Sequence, residues 1–183
     1  ARIGAIHPLQ TIASPAQGIR LLPGSFFVVE GEPSALPRLR RLVRALGGRP
    51  LRIPRLDKTL YHAAAVLASN GTVALMDEAV GLWEMMGASR KTALRALLPL
   101  LAGTIRNLEQ VGLPRALTGP VARGDARLVR AHVARLKKKA PRLVPLYAAA
   151  GRSMLRTARD LGSLPPGAAR AIQTALRRAV RPV

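Results

Sequence analysis

The sequence predicts an α+β fold that is mostly α. Three observations carry this reading. Phe26 to Val29 is a compact aromatic and β-branched run with the make-up of a buried strand. Directly after it, Leu36, Leu39, Leu42, Val43 and Leu46 recur at helical spacing. From Asp57 onward no strand pattern remains, only helical stripes.

The elements follow in order. Arg2 to Ile6 is a short apolar run that reads as a strand and breaks at His7-Pro8. The stretch HPLQTIASPAQGIRLLPG reads as a loop rich in Pro and Gly. Glu30-Gly31 ends the buried strand, and Pro33 offers a first-turn proline for the helix behind it. Arg38, Arg40, Arg41 and Arg44 lie between its leucines, and Gly47-Gly48 supplies a stop. RPLRIP, ending at Pro54, fits an edge strand, where proline costs no ladder bond. The strand, helix, strand order resembles the closing portion of a dinucleotide-binding sheet.

Asp57 caps a single long helix that runs to Trp83. Gly71 and Gly81 lie inside it. Each costs about 1 kcal/mol against Ala, so both mark close packing or a bend. Ser89 caps the next helix, with a stripe of Leu94, Leu97, Leu98 and Leu101 and a kink at Pro99. Gly112 to Asp125 reads as a loop. Asp125 caps a helix carrying Leu128, Val129, Val133 and Leu136, which ends in Lys137 to Lys139, suited to the helix dipole. Two helices close the chain, near 141–161 and 166–180. A domain join is expected at 54/55, giving parts 1–54 and 55–183.

Composition narrows the function classes. The chain has 183 residues, 49% of them hydrophobic, so it can build a core. No apolar run is long enough for a membrane span, and no signal-peptide pattern opens the chain. An opening Ala1 in place of Met points to processing, trimming or a fragment. With no cysteine, disulfides and thiolate chemistry are excluded, and a reducing cytoplasm is the expected location. Three histidines and nine acidic residues leave few metal ligands, so no metal site is expected. The net charge of +21 attracts phosphates, nucleic acid or anionic membranes. Part of that excess is arginine in a chain rich in Ala, Leu, Gly and Pro, as GC-rich codons would produce. The shortage of Asp and Glu has no such origin.

The chemistry-bearing residues cluster in DKTLYHAAAVLASN, Asp57 to Asn70. Lys58 and His62 are four apart and share a helix face. Ser69 falls close to the same line, and Asn70 lies roughly 80° round from His62. Ala63, Ala64, Ala65 and Ala68 leave room for a ligand beside them. Lysine, histidine and amide on one face can polarise a carbonyl and relay a proton. The same spacing fits a solvated first-turn lysine and a satisfied core histidine. In LTGPVARGD, Thr118 offers a hydroxyl and Arg123 a fork for an anion, or the segment is only a well-formed turn. His132 lies among Val129, Val133 and Leu136, which reads as a core or interface position. Tyr61, Trp83 and Tyr147 are too scattered for base stacking. GxGxxG, GxxxxGK[ST], HExxH and GxSxG are all absent.

GAIHPLQT, VVEG, ALGGRPLRIP, DKTLYHAAAVLASN, LLPLLAGTIRNL and ALTGPVARGD occur in that order. Together they resemble a bacterial family that joins a Rossmann-like domain to a C-terminal domain of unknown function 2520. That family is similar to the 6-phosphogluconate-dehydrogenase-like superfamily, with its ketopantoate and pyrroline-5-carboxylate reductases and prephenate dehydrogenases. The resemblance implies that 1–54 is the C-terminal remnant of a Rossmann-like α/β domain, N-terminally truncated. It implies that 55–183 is an all-α, 6-phosphogluconate-dehydrogenase C-terminal-like domain for substrate and dimerisation.

The implied function is an NAD(P)-dependent oxidoreductase acting on a small anionic carbonyl or hydroxy substrate, with NADP or NAD as cofactor and a homodimer as the assembly. Lys58 resembles the helix lysine of the β-hydroxyacid and ketopantoate enzymes. His62 stands where those often have Asn, and Asn70 resembles a later Asn of the ketopantoate type. These three are the implied catalytic residues, with His7, Ser69, Thr118 and Arg123 as substrate contacts. His7-Pro8 is similar to a His-Pro after a Rossmann strand in prephenate dehydrogenases, and so faces the cofactor. The glycine turn and the ribose-binding acid have no counterpart in this sequence, so tight cofactor binding is not expected of it. Two other classes remain open: a non-catalytic helical dimerisation or ligand-sensing module, and a basic nucleic-acid-binding protein with strongly salt-dependent affinity.

Overall fold

A computed structural model describes residues 3–180. Arg2, expected at the start of the first strand, lies outside the described residues. The chain divides into two compact units, Ala1–Leu75 and Met76–Val183. The join expected at 54/55 falls inside the first unit, which carries three helices and the start of a fourth as well as a sheet.

The first unit is built on a three-stranded sheet of order β1-β2-β3, with β1 Gly4–Pro8, β2 Phe26–Gly31 and β3 Arg49–Leu51. β1 is antiparallel to β2, placing His7 opposite Val28. β3 is parallel to β2, and helix α2, Leu36–Ala45, makes the crossover. Both proline-bearing strands are edges, as the missing N–H of Pro8 and Pro50 requires. Phe27 and Val29 of β2 pack with Leu36 and Val43 of α2 into a small core, which Ile6, Leu22 and Leu39 flank. The end of α2 is a Schellman stop. Gly47 sits at φ +71, its N–H reaches Arg44 O, and Gly48 N–H reaches Val43 O. A Cβ at Gly48 would collide with the Phe27 ring, so this turn lies hard against the core. Helix α3, Lys58–Ala68, starts on Asp57, whose carboxylate accepts from the Thr59 and Leu60 N–H groups.

The second unit is helical. α5 is Arg90–Val111, α6 Gly119–Ala122, α7 Ala126–Lys139, α8 Val144–Asp160 and α9 Ala168–Ala179. A 3-10 turn, Pro141–Leu143, leads into α8. Helix α4, Asn70–Glu84, enters this unit from the first. The core gathers Val129 and Val133 of α7, Ala148 and Leu155 of α8, and Ile172 and Leu176 of α9. Gly151 of α8 lets α9 come close, since a Cβ there would lie 2.8 Å from Leu176. Ser89 and Asp125 cap α5 and α7 as their positions suggest, accepting from Thr92 and Leu128 N–H. The fold is therefore α+β and mostly helical. Among the described residues no helix is long and apolar enough to cross a membrane.

Several expectations need correction. The helix expected to run unbroken from Asp57 to Trp83 is two helices, interrupted at Ser69. Ser69, Asn70 and Gly71 are weak helix formers in a row, and the Thr72 hydroxyl bonds back to Ala68 O at 2.9 Å, a contact that bends helices. The segment after His7 is not all loop. Ser14 caps a short helix, α1, Pro15–Leu21, by accepting from Gln17 N–H. His7-Pro8 are the last two residues of β1, so the strand ends after Pro8 and not before it. The first-turn proline of α2 is Pro37, while Pro33 lies in the preceding turn. The loop before α7 contains the short α6.

Ile172 is fully buried, so Ile172→Ala is expected to lower stability by about 2–5 kcal/mol in urea unfolding. Ile19→Ala, at a residue 77% exposed, should stay within about 0.5 kcal/mol of the parent.

Candidate functional site

The first unit holds a cavity of about 700 Å³ between the end of β1 with its following loop and one face of α3. Its size is that of a small-molecule site. Ala64, Ala65 and Ala68 form the helix wall, and their short side chains leave the space open. His7 and Pro8 come from the strand, Gln10 and Thr11 from the loop, and Tyr61, His62, Ser69 and Asn70 from the helical side.

The strand and the helix meet through one polar contact. His7 Nδ1 and the Tyr61 hydroxyl share a hydrogen bond of 2.7 Å, with the rings edge to face at a centroid separation of 5.4 Å. Burial pushes the Tyr61 phenol above its ordinary value. Like any tyrosine hydroxyl it is protonated at neutral pH and can donate.

Lys58 lies one turn before His62, but its ammonium pairs with Glu30 of β2 at 2.7 Å and does not line the cavity. Thr118 and Arg123 flank α6 in the second unit, both exposed. So His7, Pro8, His62, Ser69 and Asn70 come together around one cavity, and Lys58, Thr118 and Arg123 are not part of its wall. No Lys, Arg, Asp or Glu lines it. Tyr61 is the residue that sequence reasoning passes over. Its only local signal is its place beside His62, because its partner is 54 residues away.

A nicotinamide cofactor needs a glycine-rich strand-to-helix turn for its pyrophosphate. The three strand-to-helix connections among the described residues, 9–14, 32–35 and 52–57, contain no glycine. These residues do not form a pyrophosphate cradle. Among the described residues no cluster of three or more His, Asp or Glu could hold a metal ion.

A small mixed sheet with a βαβ step, joined to a helical unit, defines the fold class of this protein. The chain belongs to the family described as Domain of unknown function (DUF2520), which its residues 25–154 match. It is similar to the crystal structure of protein TM1727 from Thermotoga maritima, with 26% identity and a TM-score of 0.75, over 87% of this chain and 62% of that one. It also shares its fold with the "putative NADP oxidoreductase BF3122" of Bacteroides fragilis. There the identity is 22% and the TM-score 0.66, over 85% of this chain and 57% of the other. The chain thus spans less than two thirds of the length of either structure. No curated protein matches the sequence.

Tyr61 and Tyr147 are the only tyrosines, and burial raises both above 10.0. Ultraviolet titration should therefore show phenolate forming later than in free tyrosine. A raised folded-state value means the unfolded chain gives up its protons first. The stability from these groups is fully present below about pH 10 and falls as pH rises through their folded values.

Proposed function

We propose that the chain is part of an NAD(P)-dependent oxidoreductase acting on a small carbonyl or hydroxy compound. The observation that carries this reading is the cavity that sets the His7–Tyr61 pair against His62, Ser69 and Asn70. Its likeness in fold to a protein whose name includes NADP oxidoreductase supports the class of reaction. NADP or NAD is proposed for the full-length protein, not for these residues.

The proton chemistry belongs to this chain. With His7 protonated, Nδ1–H donates to the Tyr61 oxygen, and the phenol O–H is free to point into the cavity. The phenol proton passes to a substrate oxygen, the Nδ1 proton replaces it, and a neutral imidazole remains. His7 is exposed, so solvent can restore the lost proton. His62, Ser69 and Asn70 offer hydrogen bonds that orient the substrate. An anionic substrate group is favoured by the net charge of +21.

The test is turnover of NADPH or NADH by the full-length protein across small oxo acids and aldehydes. On a found substrate, Tyr61→Phe and His7→Ala should each lower kcat by about 10²- to 10⁴-fold. Unchanged turnover in both variants overturns these roles.

A second reading concerns assembly, and the exposed face of α5 favours it. We propose that α5 joins two copies of the chain. Only Ala93 of this 22-residue helix is buried. Leu94, Leu98, Ile105 and Leu108 are each at least 40% exposed, and they fall within an arc of roughly 80°. An apolar stripe of this kind marks an interaction surface. Sedimentation should show a dimer that Leu98→Asp with Ile105→Asp dissociates. A monomer at every concentration rules the reading out.

A further inference from the structure

The second unit contains a cavity of about 780 Å³ that the reading above does not use. Leu82, Met85 and Met86 at the end of α4 form one wall, and Leu136 of α7 extends it. Unbranched, polarisable methionines adapt to ligands of varied shape. Met85 and Met86 are 56% and 74% exposed, which leaves a costly apolar surface without a partner within the chain.

The cavity also has a charged side and a polar base. Arg135 and Lys139 line it one turn apart on α7. Neither has a carboxylate within ion-pair distance among the described residues, whereas neighbouring Arg142 is held by Glu78 at 2.8 Å and Arg90 by Asp77 and Glu84. No Asp or Glu lines the cavity. His132 Nδ1 and the Tyr147 hydroxyl share a hydrogen bond of 2.8 Å there. Half-buried Tyr147 keeps a neutral phenol and can still offer a hydrogen bond to an oxygen.

Apolar residues and two cations without carboxylate partners in one cavity match a molecule with an apolar body and one anionic head. We propose that this cavity binds an amphipathic carboxylate, its hydrocarbon part against Leu82, Met85, Met86 and Leu136. Its head group is held by Arg135 and Lys139. Inorganic phosphate has the charge without the body, and an alcohol of the same length has the body without the charge, so neither should match it. The site lies wholly in the second unit and is independent of the oxidoreductase reading.

Calorimetric titration of the full chain with decanoate, 1-decanol and inorganic phosphate tests this. Decanoate is expected to bind saturably and more tightly than either control. Arg135→Ala with Lys139→Ala should weaken decanoate about fivefold or more and leave decanol unchanged. Met85→Glu should weaken decanoate further, by placing a like charge on the apolar wall. All three residues are exposed, so circular dichroism should show the variants folded. The proposal is overturned by no saturable decanoate binding up to about 1 mM, the weak end of specific affinity. It is overturned equally by decanoate affinity that ignores the double variant. A sedimentation change in the double variant, with no decanoate binding, assigns the cavity instead to contact with a second copy.

Discussion

The first unit depends on the central strand β2. Phe27, Val28 and Val29 are at most 3% exposed, and the strand is paired on both sides. Antiparallel pairing with β1 places His7 opposite Val28. A slip of one residue would turn the histidine to the other face of the sheet. The register of one buried strand therefore decides whether His7 can meet Tyr61 at all. The Gly47-Gly48 stop serves the same strand, letting α2 turn back into β3 while the Phe27 ring fills the space beside Gly48.

The second unit is organised differently. Its core is made of alanines and aliphatic residues at the meeting of α7, α8 and α9, with a glycine at the closest approach. Small residues allow backbones to approach, and Ile172 and Leu176 fill what remains. Helices α4 and α5 bury little by comparison, Val80 in one and Ala93 in the other. Apolar surface is thus kept on the elements that border the second cavity and carry the leucine stripe of α5.

The two units repeat one chemical device. Each sets a histidine Nδ1 against a tyrosine hydroxyl, at 2.7 Å in one and 2.8 Å in the other, with rings edge to face. Each pair borders a cavity. The surroundings differ. The first cavity has neutral polar walls, suited to orienting a carbonyl or hydroxyl group. The second combines methionines with two cations, suited to a charged head on an apolar tail. A histidine among valines, as His132 is in the sequence, reads as core until its tyrosine partner is seen.

Periodicity and caps by themselves determined where most helices lie. Ser89 and Asp125 supply an N-cap hydroxyl and carboxylate to donors three residues away, and Gly47-Gly48 closes α2 within five. These are local effects, legible from neighbouring residues. The helical face of His62, Ser69 and the alanines was legible for the same reason. The break at Ser69 was harder to read, because one side-chain back-bond tips a marginal run of Ser, Asn and Gly. Tertiary structure alone decided which chemistry each residue shares. Lys58 turns to Glu30, 28 positions away in the chain, and Tyr61 finds His7 across 54. Spacing along a helix says which residues share a face, but not which strand that face will meet.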